Sequence, residues 1–484
     1  MPAQPFVSAT SRLPAALVFL TIASACSVTT RAPSGGVVPQ QDVGPDTVSV
    51  TDSTDPAVEV APRSLTLDEA ITIAFARNPD LAAASERIGA AEARLGEATV
   101  AFFPQVSTRL AYTRTDNPSQ AFGMILAQRR FSFSADFNDP GATQNVRPEI
   151  IGALPLFRGG QDVARRAGAA QGLEAAKLER AALRNLLADA VIATFYALRA
   201  APEQVEVARV SIDAVARALD QSRARFEAGA VLKSDVLSLE VRLAAAREAH
   251  VRAQNAVELA RTGLRLLLAL PADAPVEVAP APDPTYAELP DAFAAALERA
   301  LARRPEIQAA ARVVAMREHE VEMERAAYLP RVDAVASYGH DSEDLKLSRN
   351  ADNWTVGATA ELDLFSGFRT AERVRAATRR LAEARQAERK VRLEVERDVR
   401  SAFLTLQEAR ERARVTEAAI AAAEEALRLV QAQYHAGAVT VTRYLEAEVA
   451  RTDARSRAVA ARYDARRAEA GLQKAVGRWA DRSE

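Results

Sequence analysis

Cysteine and histidine are the side chains in this 484-residue chain that are best suited to bind a metal ion or act as a nucleophile. The chain has one cysteine, Cys26, and four scattered histidines, His250, His319, His340 and His435. No two of these residues have the spacing of metal ligands. The sequence also has no phosphate-binding glycine loop and no nucleophile–base pair. We therefore predict no enzyme activity, no metal site and no cofactor.

The cysteine follows an apolar segment, which gives it a different chemistry. Ten mainly apolar residues come after Arg12 and are followed by Ala-Ser-Ala-Cys. The segment is too short to span a membrane as a helix, and it predicts a secretory signal peptide over residues 1–25. It resembles the bacterial lipoprotein signal, which implies a lipid attached to Cys26 and an outer-membrane destination. Ala23 stands where that signal usually has Leu, so ordinary cleavage near Ala25 is the alternative.

Composition separates a tether from the rest of the chain. Residues 26–62 are rich in Ser, Thr, Pro, Val and Asp without a regular period, which predicts a disordered tether. The whole chain has a net charge of −2, so no basic field favours nucleic acid as a partner. Aromatic residues make up only 5% of the chain, and alanine is abundant in the second half. This composition favours long helices over a thick compact core.

The chain contains an internal duplication. The Asn-Pro pair at 78–79 matches an Arg-Pro pair at 304–305, and the Leu-Phe pair at 156–157 recurs at 364–365. We therefore predict a first structural repeat over 63–270 and a second over 271–484. The offset between matching positions decreases along the chain, so the first repeat has extra residues between Tyr112 and Leu154. This insertion is expected to fold over the mouth of a barrel or to hold a short helix.

Alternating segments in both repeats predict β-strands. In residues 353–365 the even-numbered side chains from 354 to 364 are apolar or small, whereas most of the odd-numbered ones are polar. Similar segments lie at about 104–116, 147–157 and 331–341. Alternation over about ten residues is typical of a membrane strand with lipid on one side and water on the other. A half-buried strand of a soluble sheet has the same period. After the signal peptide no uninterrupted apolar run is long enough for a membrane helix, so we expect a membrane crossing by strands.

A long helical hairpin follows each pair of strands. Apolar residues at helical spacing predict these hairpins over about 158–270 and about 366–477. Each first helix has roughly 68 residues and would be about 100 Å long. Pro202 predicts a kink or break in the first of them.

Glycines mark the places where the chain changes direction. Gly159, Gly160 and Gly367 are expected to allow the sharp turn from strand to helix. Gly229 and Gly437, in two Ala-Gly-Ala segments, are expected to end the long helices in the left-handed conformation. The next helices would begin with Ser234 and Thr440 as N-caps.

The predicted elements require more than one copy of the chain. About eight strands are needed to close a barrel, and four strands leave open edges that lipid does not tolerate. The helices have one apolar stripe and no second layer to cover it. A symmetric ring of copies solves both problems, although the residues alone do not fix the number of copies.

These features together resemble the TolC-like outer-membrane factor family, and the signal resembles that of its lipoprotein branch. The resemblance covers residues 64–477 and depends on the duplication and on the order of NPDL, FP, PLFRGG, FEAGAV, LP, DLFSGF and YHAGAV. It implies a mainly α fold with a membrane β-barrel portion. In this fold, duplicated strand–long-helix repeats form a trimeric, twelve-stranded β-barrel that continues as a periplasmic α-helical barrel.

The resemblance also implies a function and partners. The protein would be a homotrimer in the bacterial outer membrane that contacts membrane lipid, extends into the periplasm and binds no nucleic acid. It would passively conduct drugs, metabolites or metal ions from a periplasmic adaptor (membrane fusion) protein and an inner-membrane pump, which the lipoprotein signal predicts to be proton-driven. The alternatives are a type I protein secretion duct and a periplasmic coiled-coil scaffold lipoprotein without a pore.

The resemblance assigns roles to residues near the hairpin turns. Glu446 would line a pore constriction at the closed tip, where Arg443 stands at a second position that is often acidic. Asp235 and Tyr434 would hold the closed state by hydrogen bonds between helices. The residues that would contact the adaptor are Gly229, Ala230, Val231, Leu232, Ser234, Asp235, Gly437, Ala438, Val439 and Thr440.

Overall fold

The structure is a computed structural model that describes residues 64–133, 136–279, 292–344 and 351–480. The predicted signal peptide, the lipid-attachment residue Cys26 and the tether lie outside the described residues. The first half contains β1 (Ser64–Leu65), α1 (Leu67–Arg77), α2 (Pro79–Val100), β2 (Gln105–Thr115), α3 (Pro118–Ala127), β3 (Thr143–Arg158), α4 (Gln161–Glu227), α5 (Lys233–Leu267) and β4 (Glu277–Val278). The second half contains α6 (Phe293–Arg303), α7 (Pro305–Arg325), β5 (Arg331–His340), β6 (Asp352–Glu361), α8 (Arg369–His435) and α9 (Val441–Ala475).

The two halves have matching elements of equal length. Helices α4 and α8 contain 67 residues each, and helices α5 and α9 contain 35 residues each. Helices α1 and α6 contain 11 residues each, and both precede a helix that begins with proline. The duplication therefore extends from short motifs to whole elements. The extra residues of the first half include α3, so the insertion holds the short helix that was one of its two expected forms.

Local side-chain contacts explain why the first two helices begin and end where they do. The Thr66 hydroxyl accepts a hydrogen bond from the backbone N–H of Glu69, and the Glu69 carboxylate accepts one from the backbone N–H of Thr66. This capping box begins α1. Asn78 ends α1 and begins α2, because its side chain accepts from the Asp80 N–H at 2.9 Å and Pro79 occupies the first helical position.

The four longer strands form one antiparallel sheet in the order β2-β3-β5-β6. One row across the sheet joins Thr108, Ile150, Tyr338 and Trp354. Strands β2 and β6 are therefore the two edges, and each has one neighbour within the described part of the chain. The short strands β1 and β4 pair in parallel as a separate ribbon.

Two strand ends differ from the sequence prediction. Strand β3 begins at Thr143 instead of about 147, because β2 continues to Thr115 and pairs with it. Strand β6 ends at Glu361 instead of about 365, because its partner on β5, Arg331, is the first residue of that strand. Residues 362–365 therefore lie outside the strand and lead toward the long helix.

The long helices pack side by side in the order α5, α4, α9, α8. Closer to the sheet, α2 packs on α4, and α7 packs between α4 and α8. A core near the hairpin turns includes Val215, Leu219, Val236, Leu239 and Tyr444. A second core joins α1, α4 and the end of the chain and includes Ile71, Ile192, Phe195, Leu264 and Trp479.

Helix α4 bears on two features of the sequence prediction. Pro202 lies inside it without breaking it. An 18-residue stretch of α4 is also apolar enough to cross a membrane by length and composition, although it contains no uninterrupted apolar run of that length. This stretch is 44% buried within the chain and belongs to a helix that packs against α5, α7 and α9. Core helices have the same composition, so it is weak evidence for a membrane span.

Candidate functional site

The two faces of the four-stranded sheet differ in chemistry. Paired residues of neighbouring strands share a face, so the register assigns each side chain to one side. On one side, Arg109 contacts Glu149 at 3.4 Å, and Arg147 contacts the same carboxylate at 3.2 Å. This arrangement suits a wall with lipid on the apolar side and water on the polar side. The exposed apolar residues of the other face are Val106, Leu110, Tyr112, Ile150, Tyr338, Trp354 and Val356.

The insertion between β2 and β3 lies over the polar face. The side-chain amide of Gln128, just after α3, donates to the side-chain oxygen of Asn145 at 3.0 Å. Beneath it, the buried carboxylate of Asp341 accepts from Asn145 at 2.6 Å, Asn353 at 2.7 Å and Arg147 at 3.0 Å. This satisfied network holds α3 at the end of the sheet away from the long helices.

The joints between sheet and helix have left-handed backbone conformations. The φ angles of Gly159, Gly160 and Gly367 are 62°, 86° and 63°. Phe368 matches Gly160 in the second repeat and also has a positive φ, of 64°. Sequence reasoning missed Phe368 because it considered only glycines. A Cβ atom added to Gly159 would lie 2.5 Å from the carbonyl oxygen of Ala326, so this position needs glycine for space as well as for φ.

The two hairpin turns have the expected glycine conformations. Gly229 and Gly437 have φ angles of 73° and 75°, which confirms that both are left-handed. Thr440 caps α9 as predicted, but Leu232 stands at the N-cap of α5, and Ser234 lies within that helix. Most of the predicted adaptor-contact residues are exposed at these turns; Val231, Asp235 and Val439 are half-buried.

An arginine links the two hairpins next to their turns. The Arg225 guanidinium donates to the backbone carbonyls of Tyr434 at 3.1 Å and His435 at 2.7 Å. It also lies 5.5 Å from the centre of the Tyr434 ring. Gln221 and His435 are joined by a side-chain hydrogen bond of 2.9 Å. Arg225 therefore satisfies terminal carbonyls of α8, a role that its position on a long charged helix did not reveal.

The predicted closed-state residues are not brought together within one chain. Tyr434 is buried, and its hydroxyl has no hydrogen-bond partner among the described residues, Asp235 included. The Tyr434 ring instead stacks on Tyr444 with centroids 5.2 Å apart. Burial raises the pKa of Tyr444 to about 12, so this phenol stays neutral at physiological pH. The closed-state roles of Asp235 and Tyr434 stay predictions.

A buried ion pair lies one turn beyond Tyr444. The Glu448 side chain is 0% exposed and that of Arg451 is 8% exposed. The guanidinium donates two hydrogen bonds to the carboxylate, at 2.6 and 3.1 Å, and the Thr452 hydroxyl donates a third at 3.2 Å. One turn earlier on α9, the Tyr444 hydroxyl donates to the Ala214 carbonyl of α4 at 3.5 Å, so the pair lies where the two hairpins meet. Sequence reasoning missed it, since glutamate and arginine on such helices are usually solvated.

The predicted constriction residue Glu446 has a partner. Its carboxylate accepts a hydrogen bond from Arg443 at 3.2 Å, and both side chains are exposed. The negative charge at this level of the hairpin is therefore balanced by a positive charge on the same helix.

Comparison with known proteins agrees with these features. The model of the family described as outer membrane efflux protein matches residues 70–270 and 296–478. Protein CyaE of Bordetella pertussis is 30% identical over 323 residues, which cover 65% of this chain and 63% of that protein. The pyoverdine export outer membrane protein OpmQ of Pseudomonas aeruginosa is 24% identical over 413 residues, 85% of each chain.

Solved structures show the same fold. The outer-membrane channel OprN superposes with a TM-score of 0.74 at 21% identity, covering 85% of this chain and 89% of that one. The Campylobacter jejuni CmeC outer membrane channel superposes with a TM-score of 0.75 at 16% identity, covering 93% of this chain and 95% of that one.

Proposed function

The chain belongs to the outer membrane efflux protein family, and on that premise we propose that it forms the outer-membrane exit duct of a tripartite export system. The observation that carries the proposal is the sheet with one apolar and one polar face, joined directly to helices of 67 residues. Such helices are about 100 Å long, which suits a tube that reaches from the membrane into the periplasm. The duct is passive and not an enzyme.

The duct needs a ring of copies of this chain. Each copy contributes four strands with two open edges, β2 and β6, within its described residues. Pairing β6 of one copy with β2 of the next removes these edges, as lipid requires. Three copies give twelve strands, the number that the resemblance to TolC-like proteins implies. We propose this homotrimer.

The proposed location is the outer membrane, with the hairpins in the periplasm. Membrane lipid would cover the apolar face of the sheet, and a lipid on Cys26 would anchor the start of the mature chain. The attachment at Cys26 rests on the sequence motif alone.

The proposed cargo is small molecules such as drugs, metabolites or metal ions. OpmQ, whose name refers to pyoverdine export, aligns over 85% of this chain. A specific observation supports the second candidate, protein secretion: alkaline protease secretion protein AprF of Pseudomonas aeruginosa is 27% identical over 45% of this chain. The longer alignment favours small molecules.

The hairpin turns are the proposed contact with a periplasmic adaptor protein, through which an inner-membrane pump delivers cargo. We propose a proton-driven pump, as the lipoprotein signal predicts. Exposed Leu232 at the end of the first hairpin is an apolar contact point for the adaptor. Asp235 and Tyr434 would hold the closed tip by hydrogen bonds between helices; because the Tyr434 hydroxyl is buried within one chain, this contact requires a rearrangement of the hairpin turns.

Current across a planar bilayer tests the duct. Purified full-length protein should insert into the bilayer and give discrete current steps. A chain that stays monomeric without detergent and never conducts would instead support the periplasmic scaffold without a pore.

The charge balance at the tip predicts the effect of two substitutions on this current. Arg443→Ala should strengthen block by a divalent cation about fivefold, since it leaves the Glu446 carboxylates without their 3.2 Å partner. Glu446→Ala should weaken the block. Titration of Mg²⁺ against single-channel current measures both. Equal block in wild type and both variants would remove Glu446 from the constriction.

The apolar face predicts direct contact between Trp354 and lipid. Trp354 is 64% exposed on that face, whereas Trp479, the other tryptophan, is buried in the helical part. In vesicles with brominated acyl chains, we expect strong quenching of the wild-type fluorescence. Trp354→Phe should lose most of the quenching, and Trp479→Phe should keep it. Quenching that survives in Trp354→Phe would contradict lipid contact on this face.

A further inference from the structure

The packing of α9 on α4 shows how one hairpin meets the next. Gln204 and Ser456 are joined by two hydrogen bonds of 2.8 Å: the Ser456 hydroxyl donates to Gln204 Oε1, and Gln204 Nε2 donates to the backbone carbonyl of Ser456. Two turns farther along α9, the Tyr463 hydroxyl donates to the Glu203 carboxylate at 2.5 Å. These contacts join the first repeat to the second within one chain.

Because of the duplication, α8 and α5 carry surfaces that match the contact surfaces of α4 and α9. These two surfaces lie at the edges of the helical layer and are exposed. Helix α8 has the length of α4, and α9 has the length of α5; each second-repeat helix begins 208 residues after its match (369 − 161 and 441 − 233). Each residue of the α4–α9 contact therefore has a counterpart, 208 residues away, on α8 or α5. Tyr196 is 0% exposed under α9, whereas its counterpart Leu404 is 53% exposed. Asn185 is 1% exposed, whereas its counterpart Leu393 is 59% exposed.

Helix α5 shows the same difference. It carries large apolar side chains in solvent, at Val241, Val251, Leu259 and Leu266. The counterpart of Val251 is Val459 on α9, which is partly buried and packs against the core. Both edges therefore have the composition of a packed interface and nothing over them among the described residues of a single chain.

Charge identifies what covers these edges. The counterpart of Gln204 is Arg412, and the counterpart of Ser456 is Glu248. A neutral hydrogen-bonded pair inside the chain thus becomes a pair of opposite charges at the edges. The counterparts of Glu203 and Tyr463 are Glu411 and Asn255, which again form an acceptor and a donor. The edges complement each other, so the occupant of each is a second copy of this chain.

We propose that α5 of one copy packs on α8 of the next in the register of α9 on α4, with Glu248 paired to Arg412 of the neighbouring copy. This interface deepens the proposed function, since it rests on a ring of copies. Within one chain Glu248 is 66% exposed and contacts only Arg252 at 3.4 Å among the ion pairs of the described residues. Arg412 already contacts Asp464 at 2.8 Å and Glu408 at 3.2 Å within its own chain, so the incoming carboxylate extends an existing charge network.

Charge reversal tests the pair. Glu248→Arg and Arg412→Glu should each raise the protein concentration for half-assembly about tenfold or more, because like charges then face each other. The double variant should lower this concentration again by at least about threefold; the recovery is incomplete, because Arg412→Glu also loses the contacts with Asp464 and Glu408 inside the chain. Mass photometry of the full-length protein in detergent measures the assembled fraction. Arg428→Glu is the control, because its counterpart Asp220 stays exposed on α4 and its own partner Glu425 has no part in the proposed contact, and it should assemble normally.

A disulfide gives a second measurement, which does not depend on how well the reversed variants fold. Helices α5 and α8 lie at opposite edges of one chain, so cysteines at 248 and 412 can meet only between copies. The double variant Glu248→Cys, Arg412→Cys should form a covalent ladder that ends at the full ring. Each single cysteine variant, with Cys26 retained, should give no ladder.

Two outcomes overturn the interface: single reversals that assemble like wild type, or a double reversal that fails to recover together with the absence of a ladder. If wild type itself forms no ring, the proposed function fails as well. If wild type forms a conducting ring while the pair shows no coupling and no ladder, only this register is wrong.

Discussion

Glu448→Ala is expected to lower the free energy of unfolding of the helical region by about 3–5 kcal/mol, one of the two largest effects of a single substitution that we predict. The carboxylate is fully buried and accepts two hydrogen bonds from Arg451. Removing it leaves the Arg451 guanidinium buried between the hairpins without its partner. The hairpins should separate more readily, so leakage through the tip should also increase.

Thermal unfolding in detergent measures the effect, and two variants control it. Glu206 forms the same Glu-x-x-Arg pair with Arg209, but both side chains are more than half exposed. Glu206→Ala should therefore leave the melting temperature close to that of the wild type. Glu448→Met with Arg451→Leu removes both charges and should recover most of the lost stability. If Glu448→Ala and Glu206→Ala have the same melting temperature, the buried pair does not hold the hairpins together.

Gly159→Ala is expected to lower stability by about 2–5 kcal/mol and to reduce the amount of assembled protein. Its φ of 62° costs an L-residue about 1–2 kcal/mol. The new methyl group would also lie 2.5 Å from the Ala326 carbonyl oxygen and 2.8 Å from the Leu329 Cβ, which adds about 1–3 kcal/mol of overlap. Since these atoms lie on or next to the backbone, the joint itself has to move.

Gly160→Ala is the matched control for that substitution. Its φ of 86° is also left-handed, but an added Cβ meets no heavy atom within 4 Å. Phe368, at the corresponding position of the second repeat, shows that a side chain is tolerated there. We expect a loss of only about 1–2 kcal/mol. Equal melting temperatures for the two variants would show that the close contact at Gly159 does not limit stability.

The architecture could be predicted from the sequence because apolar residues recur at regular spacing and glycine or proline marks the ends of the elements. The change of period from 3.6 to 2 marked four strands, and the offset of 208 residues between Leu156 and Leu364 (364 − 156) reappears in the ends of α4, α5, α8 and α9. Ends that depend on a partner strand were less accurate: β6 stops at Glu361 because its neighbour β5 begins opposite it. Strand ends of this kind are set by pairing with the neighbouring strand, and the local sequence pattern carries no information about that pairing.

The hairpin site was harder to predict than the fold. Glycine conformations at 229 and 437 followed from residue type. The roles of Arg225 and Glu448 did not, because dozens of similar residues occur on these helices. Only packing between distant helices distinguishes a buried pair from a solvated one. Glu446 shows the converse, since the carboxylate predicted to line a constriction pairs with Arg443 on the exposed face of the same helix.

Electron cryomicroscopy of the purified full-length protein in lipid nanodiscs tests the central claim most directly. We expect a closed ring of three copies in which a sheet wall within the lipid continues into a hollow helical tube about 100 Å long. Helix α5 of each copy should lie against α8 of the next. Single chains, or particles with no lumen running from the membrane to the hairpin turns, would contradict the proposal that this protein is an export duct.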